Sequence, residues 1–156
     1  MTRQPEMIDL LLARGADINA QRSDGAQPIQ LTNGDYSYRG WRDVPKDTVA
    51  TPDDIFKQPI SRGAYFDIYM AALKGNIERV RELLDEDPSL ANGVSDYGTY
   101  YPGSGAPIKN AAIGGHIEIV KLLLERGEDP NLPEKGIAPK GHALHSAVIN
   151  GRFYWY

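Results

Sequence analysis

The sequence predicts an all-α fold built from a stack of short helix pairs, and three observations lead to this prediction. First, the segment 71–80 (AALKGNIERV) recurs at 111–120 (AAIGGHIEIV), with a broken third copy at 147–152 (AVINGR). Second, glycines follow the short apolar segments, where a positive φ angle lets the chain reverse into the next helix. Third, leucine pairs give the second helix of each pair an apolar face that only a neighbouring pair can bury.

The N-terminal part predicts one unpaired helix and one interrupted pair. Residues 7–15 (MIDLLLARG) form a helix of the second type, with Leu10 and Leu11 on its apolar face. Pro28 predicts the start of a new helix, because its fixed φ suits the first helical position. A long insertion over 33–50 then follows, so we expect the helix that begins at Pro28 to end before it.

A second helix of this interrupted pair restarts at 51–54 (TPDD). We expect Thr51 to be its N-cap and its two aspartates to favour the first turn electrostatically. Pro59 conflicts with a continuous helix, because it removes a backbone hydrogen bond at a cost of roughly 3 kcal/mol. We therefore expect this helix to kink or stop early, ahead of a turn at Gly63.

Two more complete pairs follow. Pro107 predicts the start of the first helix in the later pair, and Gly75 and Gly115 predict the turns inside the two pairs. The segment 87–92 (DPSLAN) stands where the other pairs have a glycine turn, so this turn must be built differently. We expect stacking to bury the leucines of the second helices, namely Leu10, Leu11, Leu83, Leu84, Leu123 and Leu124.

The repeats resemble those of the ankyrin family. Residues 105–127 (GAPIKNAAIGGHIEIVKLLLERG) and 128–131 (EDPN) follow its pattern G-x-T-P-L-H-x-A-A-x-x-G-H-x-E-V-V-K-L-L-L-x-x-G-A-D-x-N almost position by position. Segments 15–20, 24–29 and 141–147 carry parts of the same pattern. The resemblance implies an α-solenoid of helix-turn-helix repeats with hairpin loops, here with long insertions. It divides one domain over 1–156 into repeats at 4–20, 24–65, 66–92, 105–131 and 141–156, the first and last being partial.

The resemblance also implies a non-enzymatic scaffold that binds another protein through its loop tips and the concave face of its first helices. Matched residue by residue, the variable positions of that face are Leu73, Ile113 and Ile149, with Lys74 and Asn150 beside them. Aligned aliphatic side chains suit a protein partner if they are exposed. The alternative is that insertion residues fold over them. At the next equivalent position, Tyr69, Lys109 and His145, local hydrogen bonding that braces the helix is favoured over binding.

The loop at 96–104 (DYGTYYPGS) has the composition of a binding loop, since tyrosine provides contact area at low entropic cost. We count Tyr97, Tyr100 and Tyr101 among the candidate partner-binding residues. The alternative is that these rings pack under their own loop.

Self-association is a second hypothesis. The chain ends in four consecutive aromatic residues where a polar cap is usual in a solenoid. These rings are candidate oligomer contacts: Phe153, Tyr154, Trp155 and Tyr156. The ends within repeats also agree with a truncated or engineered chain.

Composition and motifs argue against several other classes of function. The 156 residues carry a net charge of −4 and no cysteine, which disfavours nucleic-acid binding, disulfides and cysteine-based zinc sites. No apolar run approaches the roughly 20 residues of a membrane span, so we expect a cytoplasmic protein without membrane contact. His142 and His145 lack a third ligand, so we expect no metal and no cofactor. A hydrolase or small-molecule site in the 33–50 insertion is the least favoured alternative.

Overall fold

The computed structural model describes residues 5–32, 52–97, 101, 103–134 and 140–149, and it contains no β-strand in these ranges. Short helices make up the fold. Their bounds are α1 Pro5–Ala13, α2 Pro28–Leu31, α3 Pro52–Ser61, α4 Ile68–Lys74, α5 Ile77–Glu86, a 3₁₀ helix Pro88–Asn92, α6 Pro107–Gly114, α7 Ile117–Glu125 and α8 Ala143–Ile149. The predicted all-α class is confirmed.

The chain divides into two compact units, of which the first extends to Phe66 and contains α1 to α3. In this unit α2 packs against α3, and the Phe56 ring lies edge-on to Phe66 with centroids 5.3 Å apart. Asp9 on α1 forms an ion pair with Arg62, just beyond the end of α3. The apolar interior of this first unit is small and centres on Ile29 and Phe56.

The second unit begins at Asp67 and contains the stacked helix pairs. Each first helix packs on its own second helix and on the next first helix: α4 contacts α5 and α6, and α6 contacts α7 and α8. The second helices α5 and α7 are also in contact. Stacking therefore produces a continuous core, whose largest fully buried apolar side chains are Ile68, Met70, Val80, Leu83, Leu84, Ile119 and Leu123. This arrangement is the ankyrin-type solenoid that the repeats predict.

The turns inside the pairs are the predicted glycine turns. Gly75 ends α4 at a φ of 76° and Gly115 ends α6 at 73°, both in the left-handed region that favours glycine. The turn after α5 is built differently, as expected. There Asp87 accepts hydrogen bonds from the Ser89 amide at 3.0 Å and the Ser89 hydroxyl at 2.6 Å, and the 3₁₀ helix follows.

Asparagine side chains tie each turn to the next repeat. The Asn92 carboxamide accepts a hydrogen bond from the Asp129 amide and donates one to the Gly127 carbonyl, each at 2.9 Å. In the first unit, Asn19 accepts a hydrogen bond from the Tyr65 amide at 2.8 Å in the same way. The same side-chain bridge therefore occurs in both units.

One expectation is wrong in part and another is wrong. The helix α3 does not stop at Pro59 but continues to Ser61, and the Pro59 carbonyl accepts hydrogen bonds from the amides of Arg62 and Ala64. The alternative of a kink at Pro59 stays a prediction. Stacking does not bury every leucine of the second helices, since the exposed fraction is 52% for Leu10, 53% for Leu11 and 43% for Leu124.

None of the helices in the described part of the chain is long and apolar enough to cross a membrane.

Candidate functional site

Two aliphatic side chains at equivalent repeat positions lie on packed first helices. Leu73 is in the last turn of α4 and Ile113 in the last turn of α6, and both are only partly buried. Lys74 follows Leu73 and is also partly exposed. Because α4 packs directly on α6, these three residues belong to one surface, which we call the first-helix stripe.

A histidine holds the stripe in place. The Nε2 atom of His116 lies 3.1 Å from the Leu73 carbonyl oxygen, a hydrogen bond between successive repeats. The same ring lies so close to Gly114 that a Cβ there would come within 2.4 Å of it. The end of α4 is thus fixed relative to the end of α6.

The loop tyrosines lie inside their own loop. Tyr97 is 6% exposed and Tyr101 3%. The Tyr97 hydroxyl donates a hydrogen bond to the Gly103 carbonyl at 2.8 Å, and its ring lies edge-on to Tyr69, with centroids 6.3 Å apart. Of the two alternatives left open for Tyr97, the structure favours packing under the loop over contact with a partner.

Several candidates fall outside what the structure describes. They are Tyr100, Asn150, the side chain of Ile149, the insertion 33–50, Thr51 and the aromatic residues Phe153, Tyr154, Trp155 and Tyr156.

A buried polar cluster surrounds the start of α6. The N-cap residue of this helix is Ala106, which has no side chain to accept a hydrogen bond. Two glutamates from the following loop replace it. Glu128 accepts a hydrogen bond from the Ile108 amide at 2.9 Å, and Glu134 accepts a longer one from the Ala106 amide at 3.4 Å. Both glutamates are 3% exposed, so the cap of α6 lies inside the protein.

Two consecutive residues of α6 complete this cluster. The Lys109 ammonium group donates a hydrogen bond to the Ser104 carbonyl at 2.8 Å. The Asn110 carboxamide donates to the carbonyls of Gly103, Ser104 and Ala106, each at 3.0 Å. The expected bracing role is therefore confirmed for Lys109.

Burial changes the proton affinities of two of these groups. It raises the pKa of Glu128 to about 8, against only a partial opposing effect of the Ile108 amide. The Glu128 carboxyl is therefore mostly protonated at neutral pH. Burial lowers the pKa of Lys109, and the nearby Glu134 carboxylate partly offsets this by attraction.

Four buried side-chain atoms of this region have no hydrogen-bond partner among the described residues. They are Glu128 Oε2, Asn110 Oδ1, Ser146 Oγ and His142 Nδ1. Through its hydrogen bonds the cluster joins the start of α6 to the loop that follows α7.

The histidine pair of the last repeat lies beside this cluster. The rings of His142 and His145 are 6.0 Å apart, and His142 Nδ1 is 3.7 Å from Glu134 Oε2. Across the described ranges no group of three acidic, histidine or cysteine residues is arranged to hold a metal ion.

Comparison with known families identifies the repeats. The family model for ankyrin repeats (three copies) matches residues 68–154, more than half of the chain. The chain belongs to the ankyrin-repeat family. Proteins built from ankyrin repeats generally bind other proteins, and the family is generally non-enzymatic.

Curated ankyrin-repeat proteins share a segment of this chain. Ankyrin repeat and SAM domain-containing protein 6 of Mus musculus is 41% identical over 64 residues, which is 40% of this chain and 6% of that protein. The probable E3 ubiquitin-protein ligase XBOS32 of Oryza sativa subsp. japonica is 44% identical over 62 residues, 40% of this chain and 12% of the ligase. The chain thus spans only a small part of either relative.

The two glutamates that cap α6 were not among the residues that the sequence predicted as functional. Glu128 could have been noticed in the sequence, because it replaces the alanine of the Gly-Ala-Asp segment of the ankyrin pattern. Ala16 and Ala64 occupy the equivalent position in other turns. Glu134 left no such signal in the sequence, since it lies in a loop whose length departs from the ankyrin repeat.

Proposed function

We propose that this ankyrin-repeat chain is a protein-binding module and that the first-helix stripe is its contact surface. The observation that carries the proposal is the recurrence of a partly exposed aliphatic side chain, Leu73 and then Ile113, on two first helices that pack together. The repeat pattern puts Ile149 and Asn150 at the next equivalent positions, and these two candidates stay sequence-based predictions. The family's general role in protein binding supports this choice.

The chemistry of the stripe defines the partner that it suits. Full burial of a leucine or isoleucine side chain contributes about 1.5–3 kcal/mol, so two adjacent ones provide the core of a small interface. Lys74 places a positive charge at the edge of this apolar core. A protein segment with an aliphatic or aromatic side chain, and with an acidic residue nearby, fits both features.

The chain has no catalytic role in this proposal. The ubiquitin-ligase activity named for the rice relative belongs to that protein, of which the chain matches a small part. The two buried glutamates are closed to substrates, and the first-helix stripe contains no pair of titratable groups.

The test combines a displayed peptide library with two charge-introducing variants. Peptides selected on the immobilised wild-type chain are measured by titration calorimetry against Leu73→Asp/Ile113→Asp. The control is Leu124→Asp, a change at a side chain that is 43% exposed on α7. We expect the stripe variant to lose affinity at least tenfold, because aspartate adds a charge to the apolar contact, and the control to bind like the wild type.

Equal binding by the stripe variant and the wild type would refute the proposed surface. Circular dichroism of each variant checks that the helices are intact. Loss of binding in both variants would also count against it, since the effect would then not be specific to the stripe.

A further inference from the structure

Helix α1 has the sequence of a second helix of an ankyrin repeat. Residues 10–15 (LLLARG) match 122–127 (LLLERG) at the end of α7 in five of six positions. Both segments end in a glycine in the left-handed region, with φ of 88° at Gly15 and 86° at Gly127. The two helices are therefore the same kind of element.

The apolar face is buried in α7 and exposed in α1. In α7, Leu122 is 6% exposed and Leu123 is fully buried, because this face covers the first helix α6 of its own repeat. The equivalent Leu10 and Leu11 of α1 are more than half exposed, and Met7 beside them is 48% exposed. Among the described residues, no first helix packs on the apolar face of α1.

Helix α8 is a first helix whose apolar face is also exposed. It corresponds to α6 in the repeat and packs on α6, so it continues the stack of first helices. Leu144 and Val148, one turn apart on α8, are each 75% exposed, whereas Ile108, the equivalent of Leu144, is 3% exposed. Among the described residues, no second helix packs on this face of α8.

We propose that α1 of one chain packs on α8 of a second copy and completes an ankyrin repeat between the two chains. Helix α8 continues the stack of first helices, and its exposed apolar face lies beside this stack. In a complete ankyrin repeat, a second helix packs on this face. Among the second helices that the structure describes, α1 has the apolar face with the exposed residues Met7, Leu10 and Leu11. Each copy offers one face of each kind, so the association is head-to-tail. The proposal does not depend on the first-helix stripe.

The test uses two variants that each destroy one face. Leu10→Asp/Leu11→Asp changes α1 and Leu144→Asp/Val148→Asp changes α8. Analytical ultracentrifugation over a dilution series measures the mass of the wild type, of each variant and of their mixture. We expect the wild type to associate with increasing concentration and each variant alone to remain monomeric, because every contact would then contain one altered face.

The mixture is the decisive sample. The intact α8 of one variant can take the intact α1 of the other, and this contact cannot repeat, so we expect a 1:1 dimer and nothing larger. A wild type that stays monomeric throughout the series would overturn the proposal. So would a mixture that stays monomeric, or a single variant that still associates.

A matched control and a second readout distinguish loss of the contact from misfolding of a variant. Val94→Asp changes another exposed aliphatic residue, at 41%, and is expected to associate like the wild type. Since the chain contains no cysteine, single-cysteine chains Leu11→Cys and Leu144→Cys keep both faces apolar. When mixed with a bismaleimide reagent they should cross-link to each other in preference to the pair Leu11→Cys and Val94→Cys, and equal yields would contradict the contact.

Discussion

The helices α4 and α6 occupy equivalent positions in consecutive repeats, but their first turns are capped in different ways. The cap of α4 is local, because Asp67 accepts a hydrogen bond from the Met70 amide, three residues later, at 2.7 Å. The cap of α6 is remote, since Glu128 reaches back 20 residues to the Ile108 amide. A local cap stabilises a helix by itself, whereas a remote cap makes the helix depend on the following loop.

The side chains at the centre of the two helices also differ, since the one in α4 is apolar and the one in α6 is polar. Met70 of α4 is fully buried, with its sulfur next to Gly103, and the equivalent Asn110 of α6 is 1% exposed and bonded to three carbonyls. The preceding residues are Tyr69 and Lys109. One fold position therefore accepts an apolar or a polar side chain, provided that the loop before the helix supplies matching partners.

Exchanging the central residues is expected to produce the largest effect. Met70→Asn loses apolar burial and puts a carboxamide in the place of a fully buried thioether, so we expect a loss of about 3–5 kcal/mol in the free energy of unfolding. Asn110→Met removes one hydrogen bond from each of three carbonyls. Since Gly103 keeps its bond from the Tyr97 hydroxyl and Ser104 its bond from Lys109, we expect a cost of about 1–2 kcal/mol. Urea denaturation measures both. Wild-type stability in Asn110→Met would mean that the polar network contributes nothing.

The pH dependence of stability tests the remote cap. The pKa of Glu128 rises from 4.5 to about 8 on folding, so the folded chain holds a proton that unfolding releases. Stability should therefore fall as the pH rises from about 4.5 to about 8, by at most about 1.4 kcal/mol per pH unit from this group. Glu128→Gln removes this titration while keeping an acceptor for the Ile108 amide.

The difference between wild type and Glu128→Gln isolates this group. Lys109 has the opposite effect on the pH dependence of stability. Because its pKa is lowered on folding, it favours the folded chain at high pH, and this contribution to stability is lost as the pH falls through the lowered pKa. This contribution is present in both chains and cancels to first order in the difference. Denaturation curves that stay parallel between pH 5 and pH 8 would show that Glu128 does not titrate in this range.

The local cap should give the smallest effect. Asp67→Ala removes one hydrogen bond at the start of α4 and is expected to cost about 1 kcal/mol. Asp67→Asn, which keeps an acceptor at the same place, should cost less. Thermal unfolding of the two variants checks the order, and an equal loss for both would mean that the charge of Asp67 matters more than its hydrogen bond.

The sequence predicted the features that depend on neighbouring residues. The repeat at 71–80 and 111–120, the helix start at Pro107 and the turns at Gly75 and Gly115 are local patterns, and all are confirmed. The special turn at Asp87 was also anticipated, because its residues break the pattern where the structure builds a 3₁₀ helix.

The features that depend on distant residues were predicted less well. A leucine pattern shows which face of a helix is apolar but not whether another helix covers it, so the exposure of Leu10 and Leu11 was missed. Tyrosines in a glycine-rich loop suit either a binding loop or an internal cluster. The burial of Tyr97, its hydrogen bond to Gly103 and its contact with Tyr69 favour the second. The cap by Glu134 depends on a loop path that spacing does not reveal.

The reach of Glu128 back to α6 also has a consequence for the order in which the chain is synthesised. The amide groups at the start of α6 leave the ribosome before the carboxyl group that binds one of them. During translation this helix cannot reach its final stability until the next loop has emerged. The smallest cooperative element in this part of the nascent chain therefore includes α6 together with the loop that follows α7.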